Sequence, residues 1–158
     1  MHASPCASPP RADISELDTG AVAKVSWPEK ADLTNMFIDI KPESGLWAGA
    51  TYRFSVKIPD MYPHEAPKVH CDTRIYHPNI DLEGHVCLDI LRDEWKPVLD
   101  LNVVINGMIH LFYEPNANDP LNQEASKLLR ENPAQFERNV HSSLRGGKLG
   151  ATQFPKLL

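Results

Sequence analysis

The chain has 158 residues, 42% of them hydrophobic and 23% charged, with a formal net charge of -5. That is enough soluble sequence for one domain with a buried core. No apolar run reaches the ~20 residues of a membrane helix, and no basic patch feeds a hydrophobic leader. The acidic balance argues against broad nucleic-acid binding, which needs clustered Lys and Arg.

In chain order, residues 1–12, MHASPCASPPRA, read as a flexible Pro-rich tail ahead of a core domain at 13–158. DISELD, Asp13 to Asp18, suggests one or two helical turns stopped by Gly20. Alternation then predicts strands in AVAKVSW, in LTNMFIDIKP (Leu33 to Pro42) and in TYRFSVKIP, whose Tyr52, Phe54, Val56 and Ile58 share one side. APKVHC adds a short fourth strand, and Pro59, Pro63 and Pro67 fall between strands, where a missing amide donor does no harm. The expected sheet is a small four-stranded antiparallel meander.

After Cys87 the period changes. DLNVVINGMIHLFYE, Asp100 to Glu114, spaces Val103, Val104, Gly107, Met108 and Leu111 as a helix does, with Asp100 as N-cap. It carries no Lys or Arg, so most of its circumference should be buried, His110 partly included. PLNQEASKLLREN predicts a second helix with Pro120 in its first turn and Asp119 as cap. PAQFERNVHSSLR predicts a third from Pro133, terminated by Gly146 and Gly147, which lead into a flexible exit. Strands first and helices after describe an α+β domain with helices on one face of the sheet. Between them Tyr76 to Leu99 shows little periodicity, yet it holds Cys87, Trp95 and several apolar residues, and so reads as an ordered, functional loop.

Cys87 admits several roles. The three cysteines, Cys6, Cys71 and Cys87, lack framework spacing and fit a reducing compartment, cytoplasmic and nuclear. His77, His85 and Cys87 lack the paired knuckles of structural zinc, so no metal is expected. A protease-like nucleophile would need His110 or His141 beside the thiol and a third orienting group, which nothing suggests. A core thiol suits Cys71, at the end of a strand, better than Cys87, which follows the turn-like DLEGH. A fourth role is to carry an acyl group received as a thioester, which needs no resident base. It needs an oxyanion donor, for which Asn79 is available eight residues upstream, and a group to position an amine, for which Asp119 is available.

HPNI at His77 to Ile80, GHVCLDIL at Gly84 to Leu91, WKPVLDLNVVINGMIHLFYEPNANDPLN at Trp95 to Asn122 and YPHEAPKV at Tyr62 to Val69 together resemble the E2 ubiquitin-conjugating family, over roughly residues 30 to 145. IDLEGHVCLDILRDEWKPVL, NQEA and SLRGGKLG look most like its NEDD8-conjugating branch. The resemblance implies an E2 fold in which Cys87 accepts a ubiquitin-like protein from an E1 and passes it to substrate lysines, usually with a RING-type E3. It makes Asn79 the residue that shapes the loop and stabilises the oxyanion, and Asp119 the one that orients the lysine. His77 and Pro78 would brace the turn, and Asp89 matches an acidic position near the cysteine. Tyr62, Pro63 and His64 would lie on one E3-facing loop, and Trp95, Lys96 and Pro97 on the other. No cofactor is implied, because ATP is consumed at the E1.

The front of the chain departs from this pattern. DISELD is a short or missing first helix with Arg11 as the lone upstream base, and MHASPCASPP lacks anchors for a docking extension. Either that region is cut short or E1 recognition differs. A ubiquitin-directed enzyme and a non-catalytic module that binds a modifier or an E3 stay open as alternatives.

Overall fold

The computed structural model describes residues 20–116 and 120–158. The tail at 1–12, the DISELD helix and Asp119 therefore lie outside the described residues.

Four strands, β1 (Ala23–Ser26), β2 (Asn35–Ile40), β3 (Tyr52–Lys57) and β4 (Lys68–Cys71), form an antiparallel sheet in sequential order. Its register is fixed by alternation. Ile38 faces Phe54, and Phe54 faces Cys71. Met36, Ile38, Ile40, Tyr52, Phe54 and Val56 all fall on the buried side, and a slip of one residue would turn every one of them to water. The other side is polar, with Arg53 Nε 2.8 Å from Asp39 Oδ1 across the ladder.

Helix α1 (Leu101–Tyr113) packs on the buried side through Leu101, Val104, Ile105, Met108, Leu111 and Phe112. Asp100 caps it by accepting the Val103 N–H, and the Phe112 ring stacks on Tyr52 at 4.9 Å. Val103, His110 and Tyr113 lie on its exposed stripe, so His110 is more open to solvent than the apolar company of its helix implied. No helix among the described residues is long and apolar enough to cross a membrane.

The two following helices are α2 (Gln123–Glu131) and α3 (Pro133–Leu144). The second begins later than its sequence suggested, and its cap is Asn122, whose side chain accepts the Ala125 N–H. The backbone N–H groups of Leu121 and Asn122 both donate to the Pro78 carbonyl, at 2.9 and 3.0 Å, which ties the approach to α2 to the HPN turn. Pro133 opens α3 as expected, and Asn132 caps it by accepting the Gln135 N–H.

Gly146, at φ 84, ends α3 in the left-handed region that favours glycine. Its N–H bonds to Ser143 O and that of Gly147 to Ser142 O, a Schellman close. The exit beyond is ordered, contrary to expectation. Strands β5 (Lys148–Leu149) and β6 (Thr152–Gln153) form a hairpin, Phe154 is buried, and the amides of Leu157 and Leu158 bond to Leu144 O. The apolar Phe154 and Leu157 were available in the sequence to dock this segment, but two-residue strands leave no period to read.

Candidate active site

The segment from Tyr76 to Leu99 is held by hydrogen bonds instead of long regular structure. His77 is fully buried at its start. Its Nε2 donates to the Leu111 carbonyl at 2.7 Å, and its Nδ1 accepts the Asn79 N–H at 3.0 Å. Burial pushes the ring down to about 4, so it is neutral at physiological pH and ties the HPN turn to α1 as a brace. Pro78 contributes the carbonyl that accepts the N–H groups of Leu121 and Asn122 and so joins the turn to the approach of α2.

Asn79 is buried too, at 1% exposure. Its Nδ2 donates to the Asn116 carbonyl at 2.7 Å and its Oδ1 accepts the Asn116 N–H at 2.8 Å, clamping the exit of α1 to the turn. Its own carbonyl accepts the Cys87 N–H at 2.8 Å. One residue thereby fixes both the backbone of the cysteine and the loop opposite it.

Asp81 to His85 form a tight hairpin against β4. Cys71 N–H donates to Gly84 O at 2.8 Å, and His70 and His85 pair as an isolated bridge. Asp81 Oδ1 accepts the N–H groups of Glu83 and His85, and its Oδ2 lies 2.8 Å from His85 Nδ1. Burial raises the Asp81 carboxyl, but the His85 and Glu83 bonds outweigh it and hold the group below the usual carboxylate range. His70 places Nδ1 2.8 Å from Asp72 Oδ1 and Nε2 2.8 Å from Glu83 O. Both partners are acceptors, an arrangement that favours the cationic ring. The Asp72 bond is the main cause of its raised pKa.

Cys87 follows two residues after this hairpin and keeps 8% of its surface. It opens onto a cleft of about 370 Å³ lined also by Asn79, Asp89, His110, Glu114 and Asn116. Arg92 Nη2 donates to the Cys87 sulfur at 3.2 Å and to Asp89 Oδ1 at 3.1 Å. Asp89 opens a 3-10 turn, Asp89–Leu91, and is half exposed. Cys71 contrasts with Cys87 throughout: it lies in the core, its thiol donates to Thr73 O, and burial pushes it up to about 12, which leaves it inert. His110 shares the cleft, but its Nε2 lies 3.3 Å from Glu114 Oε2. His141 is exposed on α3 and does not line the cleft.

Tyr62, Pro63, Trp95 and their neighbours form a second locus. Trp95 Nε1 donates to Pro63 O at 2.8 Å, and its ring lies 6.1 Å from that of buried Tyr62. The Tyr62–Pro63 peptide is cis. The two loops therefore meet, with His64, Lys96 and Pro97 exposed. Met61 and Val98, which sequence reasoning did not single out, stand 58% and 85% exposed beside them.

Asp81, Glu83 and His85 gather candidate ligand atoms within 4.8 Å of one another, but on an exposed hairpin where Asp81 and His85 already bond to each other. Neither His77 nor Cys87 belongs to that group. A larger cavity, about 540 Å³, lies on the polar side of the sheet beside Phe37, Ser55 and Lys57; its lining includes no cysteine, so thioester chemistry points to the Cys87 cleft. Arg92 and Asn116 are the site residues that sequence reasoning missed. Each acts through a contact made only in the folded chain, and neither carries a local motif.

A family model described as ubiquitin-conjugating enzyme matches residues 11–144. The chain is 54% identical over 147 residues to the Arabidopsis thaliana protein named probable NEDD8-conjugating enzyme Ubc12-like, covering 92% of this chain and 80% of that one. It is 49% identical over 157 residues to NEDD8-conjugating enzyme Ubc12 of Dictyostelium discoideum, covering 99% and 68%. The solved structure of S. cerevisiae Ubc12 superposes with a TM-score of 0.86 at 37% identity, covering 93% of this chain and 83% of that one.

Proposed function

The chain belongs to the ubiquitin-conjugating enzyme family, and on that premise we propose that it is an E2 for NEDD8, carrying the modifier as a thioester on Cys87. It is a transferase of the ubiquitin-like conjugation pathway, whose general partners are an E1 and the modifier. The observation that carries the site assignment is the Cys87 thiol opening onto a cleft whose wall is built by Asn79 and Asn116. The choice of modifier rests on relatives named as NEDD8-conjugating enzymes across plants, amoebae and insects.

In this reading the Cys87 thiolate attacks the carbonyl of the E1-bound thioester, and the E1 thiol leaves. A substrate lysine amine then attacks the new thioester, and the Cys87 thiolate leaves. Asn79 holds the cleft in shape and offers its amide to the tetrahedral oxyanion. Asp119 positions the lysine. The Tyr62–His64 and Trp95–Pro97 loops, joined by the Trp95 to Pro63 bond, receive a RING-type E3. The protein works in the reducing cytoplasm and nucleus, where a thiol such as Cys87 stays free.

The test is a non-reducing gel of the protein with ATP and a matched E1–modifier pair, NEDD8 or ubiquitin. A thiol-sensitive band with NEDD8 that disappears in Cys87→Ala is expected. A band with ubiquitin alone would move the protein to a ubiquitin-directed role. No band with either, from full-length protein with its native front, would mark it as a non-catalytic module.

A further inference from the structure

We infer that Arg92 is a catalytic residue: its guanidinium, aimed by Asp89, stabilises the Cys87 sulfur as thiolate, both when it attacks and when it leaves. The inference rests on the proposed role of Cys87 and goes beyond it.

Geometry carries the argument. A guanidinium has donors and no acceptor, so at 3.2 Å from Arg92 Nη2 the sulfur must be the accepting partner. A thiolate accepts such a bond far better than a thiol, and a fixed positive charge favours the thiolate further. Nη2 carries two hydrogens, and the second goes to Asp89 Oδ1 at 3.1 Å, which sets the plane of the fork. The 3-10 turn Asp89–Leu91 lies between cysteine and arginine and brings the side chain back over the thiol.

Both chemical steps place charge on this sulfur. In charging, the Cys87 S–C bond forms and the E1 S–C bond breaks, with the electron pair departing on the E1 sulfur. In discharge, the lysine N–C bond forms and the Cys87 S–C bond breaks. The pair returns to Cys87 as thiolate, and the amine proton passes to solvent. Neither step changes oxidation state. Arg92 faces the thiolate before the first step and after the second.

The charged and titratable described groups facing the sulfur are Arg92 and Asp89 from the following turn, and His110 and Glu114 from α1 across the cleft. The arginine side chain is half exposed, so its effect is screened and falls at the low end of the range for an adjacent opposite charge, about one pH unit.

The experiment is the rate of alkylation by iodoacetamide across pH, with the product located at Cys87 by peptide mass, in the parent, Arg92→Ala and Arg92→Lys. It uses neither E1 nor modifier. Arg92→Ala should move the midpoint up by about one unit. About ten-fold less thiolate at pH 7, offset about three-fold by the greater nucleophilicity of a more basic sulfur, gives a net slowing of about three-fold. Above both midpoints the same variant should react about three-fold faster, and Arg92→Lys should keep most of the parental midpoint. This crossing of profiles is a signature that a merely structural role would not produce. Coincident parent and Arg92→Ala profiles would overturn the inference, whatever the E1 assay shows. A shifted profile supports it even where no E1-dependent adduct forms, and that failure would then belong to the conjugating role.

Discussion

The amide of Asn79 is committed at both ends to the backbone of Asn116, which makes its contribution structural before any acyl group arrives. Asn79→Ala deprives a partly buried N–H and C=O of their partner and should cost about 1–3 kcal/mol of stability. Chemical denaturation measures that, and hydrogen exchange at 114–116 should rise with it. The proposed oxyanion role adds a separate consequence. Discharge of the purified thioester to lysine should slow more than charging, because loss of one donor costs up to about 2.7–4 kcal/mol in such sites. A variant that is less stable but discharges at the parental rate would leave Asn79 a loop clamp alone. The resemblance made His77 a brace for the same turn, and in the fold its buried ring bonds to Leu111 O and to the Asn79 N–H.

At the scale of elements, the hairpin ahead of Cys87 depends on Gly84. Its φ of +99 is unfavourable for any side chain, and an added Cβ would lie 2.4 Å from both Cys71 O and His70 Nε2. Gly84→Ala should therefore push the hairpin off β4, breaking the Cys71 to Gly84 bond and the His70 to Glu83 bond. A loss of at least about 1–3 kcal/mol from backbone strain alone is expected in urea denaturation, with altered alkylation of Cys87 two residues beyond His85. Unchanged stability would show that the hairpin can rotate freely. The turn itself was legible as DLEGH, but its packing on β4 was not, because a five-residue segment has no period to reveal its partner. Strands β2 and β3 were legible because one face of each is buried, and α1 because its apolar residues repeat at helical spacing. The start of α2 was misplaced because the sequence offers Asn122 as well as Asp119 ahead of the helix, and it is the Asn122 side chain that caps the first turn. Cys87, Asn79 and the Trp95 loop were legible as a joint motif, whereas Arg92 was one charge in a polar run, LRDEW.

For the whole molecule, the two histidines that tie the thiol-bearing segment to its neighbours titrate in opposite senses. His77 joins the HPN turn to α1, and burial lowers it to about 4 from an ordinary value of 6.5. Between those values the unfolded chain binds the extra proton. The contribution of His77 is therefore complete above pH 6.5 and disappears as pH falls through 4. Over the half of that window from pH 7 to pH 5 it amounts to about 2 kcal/mol. His70 joins the hairpin to β4 and is raised, so its contribution is complete below pH 6.5 and is lost as pH rises through the folded value. It is largely solvent-screened and offsets only part of the His77 effect. The lowered carboxylates Asp39 and Asp81 act at more acid pH, so they leave this window to the histidines. Denaturant midpoints at pH 7 and pH 5 should therefore show a net loss on acidification in the parent, and His77→Gln should lose that increment while starting from lower stability at pH 7. Should the variant fail to fold, NMR titration of the parental His77 ring gives the same information, since the ring should stay neutral down to about pH 5. A ring that titrates near 6.5 would mean that the turn opens to water in solution. The bond from His77 to Leu111 would then not be what holds the cysteine segment against α1.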